Sequence, residues 1–182
     1  MNVNGQRLRV LLLALVSSLA LSAPSGAGAA THEGSDPAAL AEQIRKHRAA
    51  TWHFQRVMGR PRTPTGFHER RASSLVYLTS LRDLWRRRAA NARLRFLRPP
   101  HRAAWLCIHR HEGRWDDPDP TYYGGLQMDV SFQRAYGSYL LRRKGTADRW
   151  TPLEQMWTAE KALRAGRGFH PWPVAARRCG LI

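Results

Sequence analysis

The sequence predicts a predominantly helical protein of the α+β class, in which a small C-terminal domain follows a cationic helical hairpin. Apolar residues recur at helical spacing through most of the chain. Pro99-Pro100 separates two parts of different composition, and adjacent glycines with β-forming residues break the helical pattern at 122–127. We therefore expect a signal peptide in residues 1–30, a basic helical hairpin in 31–99 and a compact domain in 100–182.

The first thirty residues have the organisation of a secretory signal peptide. Arg7 and Arg9 give a positive start, an apolar run extends from Val10 to Leu21, and Ala27 and Ala29 form an A-x-A cleavage site. The apolar run is short for a membrane span, and no other run in the chain is longer. We expect a monomeric mature protein without a transmembrane segment, secreted or held at the cell wall.

The formal net charge is +17, and almost all of the positive charge comes from arginine. Residues 31–99 carry 15 basic and 5 acidic residues, hence +10 of the net charge, with a run at Arg86-Arg87-Arg88 and further arginines at 93, 95 and 98. Such a face binds nucleic acid, anionic lipid or an anionic wall polymer, or is simply a solvated helix surface. Export argues against nucleic acid, and no nucleic-acid-binding motif accompanies the charge. Anionic wall polymers therefore stay as possible partners of this segment.

Two helices are predicted before Pro99. Asp36 and Pro37 supply an N-cap and a first-turn proline for a helix from Ala38 to about Met58. A turn-rich connector follows at 59–66, and a second helix is predicted over 69–97 from its apolar spacing. A short connector between two helices predicts an antiparallel hairpin.

The C-terminal domain begins with a helix over 101–112 that Gly113 ends, and a loop then leads to a tight turn or short β-hairpin at 122–127. A shorter helix is predicted over 132–144, interrupted near Gly137. Thr151, Pro152 and Glu154 form a capping-box start for the last long helix, which Gly166 or Gly168 ends.

Glu112 is the candidate catalytic residue. Trp105, Ile108 and Glu112 lie on one face of the predicted helix, so an inward face would keep this carboxyl partly dry. Its position at the helix C-terminus also disfavours the negative charge. Both conditions favour a carboxylic acid that donates a proton near neutral pH. The alternative is a surface residue in an ordinary last helical turn.

No metal and no cofactor are expected. His109, His111 and Glu112 do not share a helix face, and their spacing differs from the His-Glu-x-x-His motif. The chain has two cysteines, Cys107 and Cys179, and export favours one disulfide between them over two free thiols. The bond would close a loop of about seventy residues and contribute about 4 kcal/mol.

Residues 101–182 resemble the actinobacterial transglycosylase-like domain of the resuscitation-promoting factors, which has a small lysozyme-like fold. The resemblance does not extend to residues 31–99. In the family the catalytic Glu follows a Trp by seven residues and an Ile by four, as Glu112 does here. The motifs that carry the resemblance are Glu112-Gly113 followed by Trp115, the segment Tyr122–Gln127, Tyr136-Gly137, Glu154-Gln155, Gly168 and Trp172-Pro173.

Two features depart from the family pattern. The segment from Glu112 to Trp115 is two residues shorter than the family's Glu-Ser-Gly-Gly-Asn-Trp, so the loop after the acid follows a different path. Cys107 lies four residues before the family position, and Cys179 lies four residues after it. A shift of four residues on a helix keeps the same face, so the resemblance still implies a disulfide.

The resemblance implies cleavage of the β-1,4 bond between N-acetylmuramic acid and N-acetylglucosamine in peptidoglycan glycan strands. Glu112 would first act as general acid and then, ionised, remove the proton of the sugar's 6-hydroxyl to form a 1,6-anhydro ring. A hydrolytic lysozyme is an alternative, with Asp116, Asp117 or Asp119 as the second carboxylate. A non-catalytic domain for wall binding or signalling is a further alternative.

Five residues are candidate substrate contacts, and each has a core-packing alternative. Gln127 and Tyr123 would hydrogen-bond N-acetyl groups or orient Glu112, whereas Trp115 and Trp172 would stack on sugar faces. Tyr122, in the same segment as Tyr123, completes the set.

Overall fold

The computed structural model describes residues 36–182, so the predicted signal peptide lies outside the described residues. The helical prediction is confirmed. In residues 36–182 the only β pairing is an isolated antiparallel bridge between Tyr123 and Met128, so the predicted α+β class finds no sheet there. The helices are α1 Pro37–Val57, α2 Phe67–Arg70, α3 Leu75–Phe96, α4 Arg102–Glu112, α5 Val130–Lys144, α6 Pro152–Ala162 and α7 Pro173–Arg178, with a 3-10 turn at Ala147–Arg149 and a π-helical turn at Leu163–Arg167.

None of the helices in the described part of the chain combines the length and the apolar character that a membrane span requires. Residues 36–182 belong to one compact unit.

Helix α1 begins where the sequence predicts. The side chain of Asp36 accepts hydrogen bonds from the backbone N–H groups of Ala38 and Ala39, and Pro37 occupies the first turn. This cap satisfies two of the N–H groups that every helix start leaves without an intrahelical partner.

Helices α1 and α3 run parallel, so the prediction of an antiparallel hairpin is wrong. Near the N-terminal ends, Leu40 of α1 shares a small buried cluster with Leu78 and Leu81 of α3. Near the C-terminal ends, the rings of Phe54 and Phe96 lie 5.1 Å apart. We call these two helices the parallel pair, and we call the end where both helices begin its distal end.

The connector between α1 and α3 makes this arrangement possible because it runs back along the pair. Trp52 of α1 donates its indole N–H to the carbonyl oxygen of Thr63 at 2.8 Å. Further along, Trp85 of α3 donates its indole N–H to Glu69 at 3.3 Å. The chain therefore returns to the distal end before α3 starts.

The predicted second helix is divided in two. Residues 67–70 form the single turn α2, and α3 starts only at Leu75, after an extended Ser74. Ser74 is the N-cap of α3 in an extended conformation, although its side chain makes no capping hydrogen bond.

The C-terminal ends of the parallel pair join the core of the C-terminal domain. Val57, Met58 and Phe96 are buried in the same cluster as residues of α4 and α6. The indole N–H of Trp157 donates to the carbonyl oxygen of Phe96 at 2.7 Å. Residues 36–99 and residues 100–182 are therefore connected by a shared hydrophobic core.

The capping box of α6 is present as predicted. The backbone N–H of Glu154 donates to the Thr151 hydroxyl, and the Glu154 carboxylate accepts the Thr151 N–H. The same carboxylate is buried and pairs with Lys144 at the end of α5 at 2.8 Å. One acidic residue thus fixes the helix start and links two helices.

Helix α5 is continuous through Gly137, which contradicts the predicted interruption. It also begins earlier than predicted, at Val130, because Asp129 caps it by accepting the N–H of Phe132. Gly137 is buried against the indole of Trp150, and a Cβ atom there would lie 2.4 Å from a ring carbon. Close packing therefore requires glycine at this position despite its low helix propensity.

We expect Gly137→Ala to destabilise the fold by about 1–3 kcal/mol, because the added methyl overlaps a buried indole. Gly66→Ala is the matched control, since nothing lies within 4 Å of a Cβ atom at Gly66. Urea denaturation of both variants measures the difference. A Gly137→Ala protein as stable as Gly66→Ala would contradict this account of the contact.

The predicted disulfide between Cys107 and Cys179 is confirmed, with a Cα–Cα distance of 6.0 Å. It joins the middle of α4 to the residue that follows α7. The chain end is thereby fastened to the helix that carries Glu112.

Candidate active site

Helix α4 is held in place by its buried face. Trp105 and Ile108 are completely buried, and the ring of Trp105 packs edge-on against Trp172 at 5.2 Å. The indole N–H of Trp105 donates to the buried carboxylate of Glu160 at 2.8 Å. The predicted inward face of the helix is thus the observed one, and it fixes the rotation of α4 about its axis.

Glu160 anchors the other end of α4. Its carboxylate also accepts the backbone N–H of His101 at 2.8 Å, immediately before the helix begins. Sequence reasoning did not select Glu160. The available signal was an acidic residue among the alanines and Trp157 of α6, where a carboxylate is expected to have buried partners.

Glu112 is the last residue of α4, and its side chain is partly buried. Burial raises the pKa of its carboxyl group above the ordinary value, because the charged form loses hydration there. Among the hydrogen bonds of residues 36–182, none reaches the Glu112 carboxylate. Within that part of the chain, no protein hydrogen bond therefore favours the ionised form of the carboxyl.

A shallow depression of about 610 Å³ lies over the end of α4 and is lined by residues 109–116. Glu112 shares it with two histidines, two arginines, Trp115 and Asp116. The depression is wide and open to solvent, so an extended ligand can reach Glu112 from outside. Cations at its rim suit a ligand with oxygen acceptors or negative charge.

Trp115 is placed by His109 and by the glycine turn. The two rings stack at 3.9 Å with an angle of 21° between their planes. Gly125 lies against both, since a Cβ atom there would be 2.6 Å from His109 Nδ1 and 2.8 Å from the Trp115 ring. The pair of glycines noted in the sequence therefore allows the turn to approach this aromatic stack closely.

Gln127 packs against Gly113, the residue that follows Glu112. Its side-chain amide donates to Asp117 at 3.1 Å and to the carbonyl oxygen of Gly124 at 3.0 Å. A Cβ atom on Gly113 would lie 2.9 Å from the Gln127 amide nitrogen and 3.0 Å from Asp117 Oδ2. Glycine after Glu112 thus makes room for the Gln127–Asp117 pair.

The other two acids of the loop have partners of their own, although Asp116 also lines the depression around Glu112. Asp116 is exposed and pairs with Arg114 at 2.9 Å, which lowers the pKa of Asp116. Asp119 accepts the backbone N–H groups of Tyr122 and Thr121, and these hydrogen bonds lower its pKa. Asp117 is therefore the loop acid that the structure brings against the end of α4.

Gln155 ties the loop to α6, and sequence reasoning gave it no role in the site. This buried side chain donates to the carbonyl oxygens of Trp115 at 2.8 Å and Ala147 at 2.9 Å. Gly124 passes so close that a Cβ atom would lie 2.6 Å from the Gln155 side chain. The signal in the sequence was a glutamine next to the capping-box Glu154, at the start of a helix with an apolar face.

The remaining predicted substrate contacts are distributed around the Tyr122–Gln127 turn. Tyr123 donates its hydroxyl to the carbonyl oxygen of Pro120 and so braces the loop. Tyr122 is 48% exposed and lines a second depression of about 330 Å³, together with Gln127 and Trp172. Glu112 lines the first depression and not this second one.

Trp172 belongs to the core, which corrects the prediction that its ring stacks on a sugar. It is only 3% exposed, and its indole N–H donates to the carbonyl oxygen of Leu126. Its ring makes edge-on contacts with Trp105 and Phe132. A large aromatic residue in a small domain is buried because it removes so much apolar surface from water.

One cluster in residues 36–182 has metal-ligand geometry, formed by Cys107, His111 and Cys179. Both cysteines are in the disulfide, which leaves His111 as the only free ligand. A thiolate, and not a disulfide sulfur, is the form that binds a metal. This group therefore does not form a metal centre.

Comparison of the chain with protein-family models, curated proteins and solved structures finds no match. The resemblance of residues 101–182 to the transglycosylase-like domain stays a prediction.

Proposed function

We propose that this protein cleaves peptidoglycan glycan strands as a lytic transglycosylase, with Glu112 as its single acid and base. The observation that carries the proposal is the position of Glu112, a partly buried carboxyl on a well-anchored helix end that opens into a solvent-accessible depression. A carboxyl with a raised pKa beside a ligand-accessible surface is suited to proton donation. The proposed site of action is outside the membrane, at the cell wall, after removal of residues 1–30.

In the proposed reaction, neutral Glu112 protonates the oxygen of the β-1,4 bond as the bond to C1 of N-acetylmuramic acid breaks. The carboxylate that results then takes the proton of the 6-hydroxyl of the same sugar, and that oxygen bonds to C1. Glu112 ends protonated and the product carries a 1,6-anhydro ring. No second carboxylate and no water molecule are consumed.

Placement of Glu112 supports both proton transfers. Trp105 and Ile108 fix the helix face, and Gly113 leaves the helix without adding bulk beside the acid. The Trp115–His109 stack forms one side of the depression and offers an aromatic edge to a sugar. We propose Gln127 and Asp117 as groups that set the position of the backbone next to Glu112.

A lysozyme-type hydrolase is the second candidate because one observation favours it. Asp117 lies against Gly113, so a second carboxylate is close to the end of α4. A glycoside hydrolase uses such a carboxylate to activate water or to bond to C1. The hydrogen bond from Gln127 would then orient Asp117 for that role.

Product analysis separates the two candidates. Mass spectrometry of digested peptidoglycan should find 1,6-anhydro ends, and Asp117→Asn should keep activity within about tenfold of wild type because it supplies no chemical step. Asp119→Asn is the matched control, since it removes the same charge from the same loop at an exposed position outside the depression, and its amide oxygen can still accept the N–H groups of Thr121 and Tyr122. Reducing ends, with a loss confined to Asp117→Asn, would establish the hydrolase instead. Binding to walls without any product would refute both enzymatic proposals.

A further inference from the structure

A groove, distinct from the two depressions described above, lies between the C-terminal halves of the parallel pair. It is on a different part of the molecule from Glu112. Its volume is about 710 Å³. Helix α1, the connector, α3 and the start of the C-terminal domain all contribute side chains to it. Apolar atoms of Met58, Ala92 and Trp157 lie within this lining, and Trp157 also belongs to the main core.

The polar lining of the groove is cationic. Arg60 comes from the connector, Arg88 and Arg95 come from α3, and Arg98 follows α3. No acidic residue lines the groove. Of these four arginines only Arg88 has a carboxylate within 4.0 Å in the described part of the chain, namely Glu69 at 3.7 Å.

The distal half of the parallel pair has a different charge pattern. There Arg45 pairs with Glu42 at 2.6 Å, and Asp83 lies 3.1 Å from Arg82 and 3.5 Å from Arg86. Those arginines have acidic neighbours, whereas in the described residues three of the four arginines that line the groove have none. Charge of one sign in a cleft attracts ligands of the opposite sign more strongly than charge spread over a convex surface.

Arg88 is the most constrained of the four. Its guanidinium lies over the Trp85 ring, with Cζ 4.7 Å from the ring centroid. Its Nη1 atom is buried and has no hydrogen-bond partner within residues 36–182. That atom lies 3.7 Å from Oε1 of Glu69, and the Arg88 side chain is 34% exposed, so Trp85 and Glu69 hold the guanidinium in place while part of it lines the groove.

Neutral donors in the groove are also informative. The Gln55 amide is occupied by the connector, since it donates to the Thr63 hydroxyl at 2.7 Å. The Asn91 side chain lines the groove and takes part in no hydrogen bond within residues 36–182. Asn91 lies between Arg88 and Arg95 on α3, three and four residues away, so the three side chains share one helix face. Together these three side chains present a row of hydrogen-bond donors and no negative charge.

We propose that this groove binds the phosphate groups of an anionic phosphodiester polymer of the cell wall. Planar guanidinium groups donate two parallel hydrogen bonds to a phosphate, which suits several arginines on one face to a chain of repeating phosphates. Met58, Ala92 and Trp157 would contact the carbon atoms between the phosphates. The wall location rests on the proposed function, but phosphate binding does not depend on Glu112.

Titration calorimetry with poly(glycerol phosphate) tests the proposal on the full chain carrying Glu112→Gln, so that catalysis plays no part. Replacing Arg95 and Arg98 by glutamine should weaken binding at least about tenfold, because charge-assisted hydrogen bonds are lost. Both positions are exposed, so folding should be preserved. The matched control is Arg87→Gln with Arg93→Gln, which removes the same charge from exposed positions of α3 outside the groove. The control should lose less than about threefold.

Equal losses in the two double variants would overturn the proposal, because binding would then reflect net charge alone. Tighter binding of polyglutamate or of a single-stranded oligonucleotide than of poly(glycerol phosphate) would also overturn it. Arg88→Lys is an independent test, since it keeps the charge but removes the planar guanidinium group that can donate two parallel hydrogen bonds. We expect that variant to lose affinity as well, and unchanged affinity would count against a phosphate contact at Arg88.

Discussion

Replacing Glu112 by glutamine is expected to lower turnover of peptidoglycan by about a hundredfold or more, because the variant has no proton to donate. Glutamine keeps the shape of the side chain and its position at the end of α4. The loss should therefore appear in kcat and leave binding of glycan strands largely intact. Release of soluble muropeptides from purified walls, followed over time, measures the change. Full activity in a folded Glu112→Gln protein would end the proposed mechanism.

Thermal unfolding provides the control for folding. Burial raises the pKa of Glu112, so the folded state favours the neutral carboxyl. That contribution to stability is fully present below the ordinary pKa of a glutamate and is lost as the pH rises through the raised pKa. Glutamine is uncharged at every pH. The variant should be at least as stable as wild type at pH 7, and the difference should shrink in acid. A large decrease in the Tm of the variant would indicate a structural role for the carboxylate.

Removing the disulfide should have the largest effect on stability. Cys107 and Cys179 are 72 residues apart, so their bond restricts a long loop in the unfolded chain. The chain-entropy relation gives about 4 kcal/mol for such a loop. For a protein of this size we expect the Tm of Cys107→Ala/Cys179→Ala to fall by about 10 °C. Helix α7 depends on the bond in particular, because six residues are too few to form a stable helix alone.

Differential scanning calorimetry with and without reductant checks this result. Reductant should lower the Tm of the wild type towards that of the double variant and should leave the double variant unchanged. Each single variant would retain one free thiol and should match the double variant in stability. A wild-type Tm that does not change although both thiols become labelled would contradict a stabilising role.

The parts of the fold that depend on neighbouring residues were predictable from the sequence. Asp36 with Pro37 begins α1, the capping box at Thr151–Glu154 begins α6, and Gly113 follows the end of α4. In each case a side chain or a missing Cβ acts on backbone groups within a few residues. Such chemistry is the same in any surrounding structure, so a single sequence contains it.

The direction of α3 was not predictable in this way. It depends on hydrogen bonds that hold the connector against the helices, from Trp52 to Thr63 and from Trp85 to Glu69. Gly137 is a similar case, because its place inside α5 is set by the indole of Trp150. Some of these contacts join residues that are distant in the chain, and the contact at Gly137 outweighs the low helix propensity of glycine. Local sequence patterns therefore do not encode them.

The same distinction, between features that local patterns predict and features that depend on distant contacts, applies to the candidate site. The spacing of Trp105, Ile108 and Glu112 was sufficient to predict a carboxyl at the edge of a buried helix face. The roles of Glu160 and Gln155 were not, because each partners groups at least forty residues away. A buried polar residue reveals that it has a partner, but only the fold reveals which one.

The parallel pair contains two separate apolar clusters, and this has a consequence for how the molecule opens. The distal cluster consists of Leu40, Ile44, Leu78, Leu81 and Trp85, whereas Val57, Met58 and Phe96 belong to the large core. Opening at the distal end exposes less apolar surface than opening the large core, so it requires less free energy than global unfolding. The first turns of both helices can therefore fray together while the depression around Glu112 stays folded. Hydrogen exchange protection should then increase along α1 and along α3 in the same direction, from the beginning of each helix to its end.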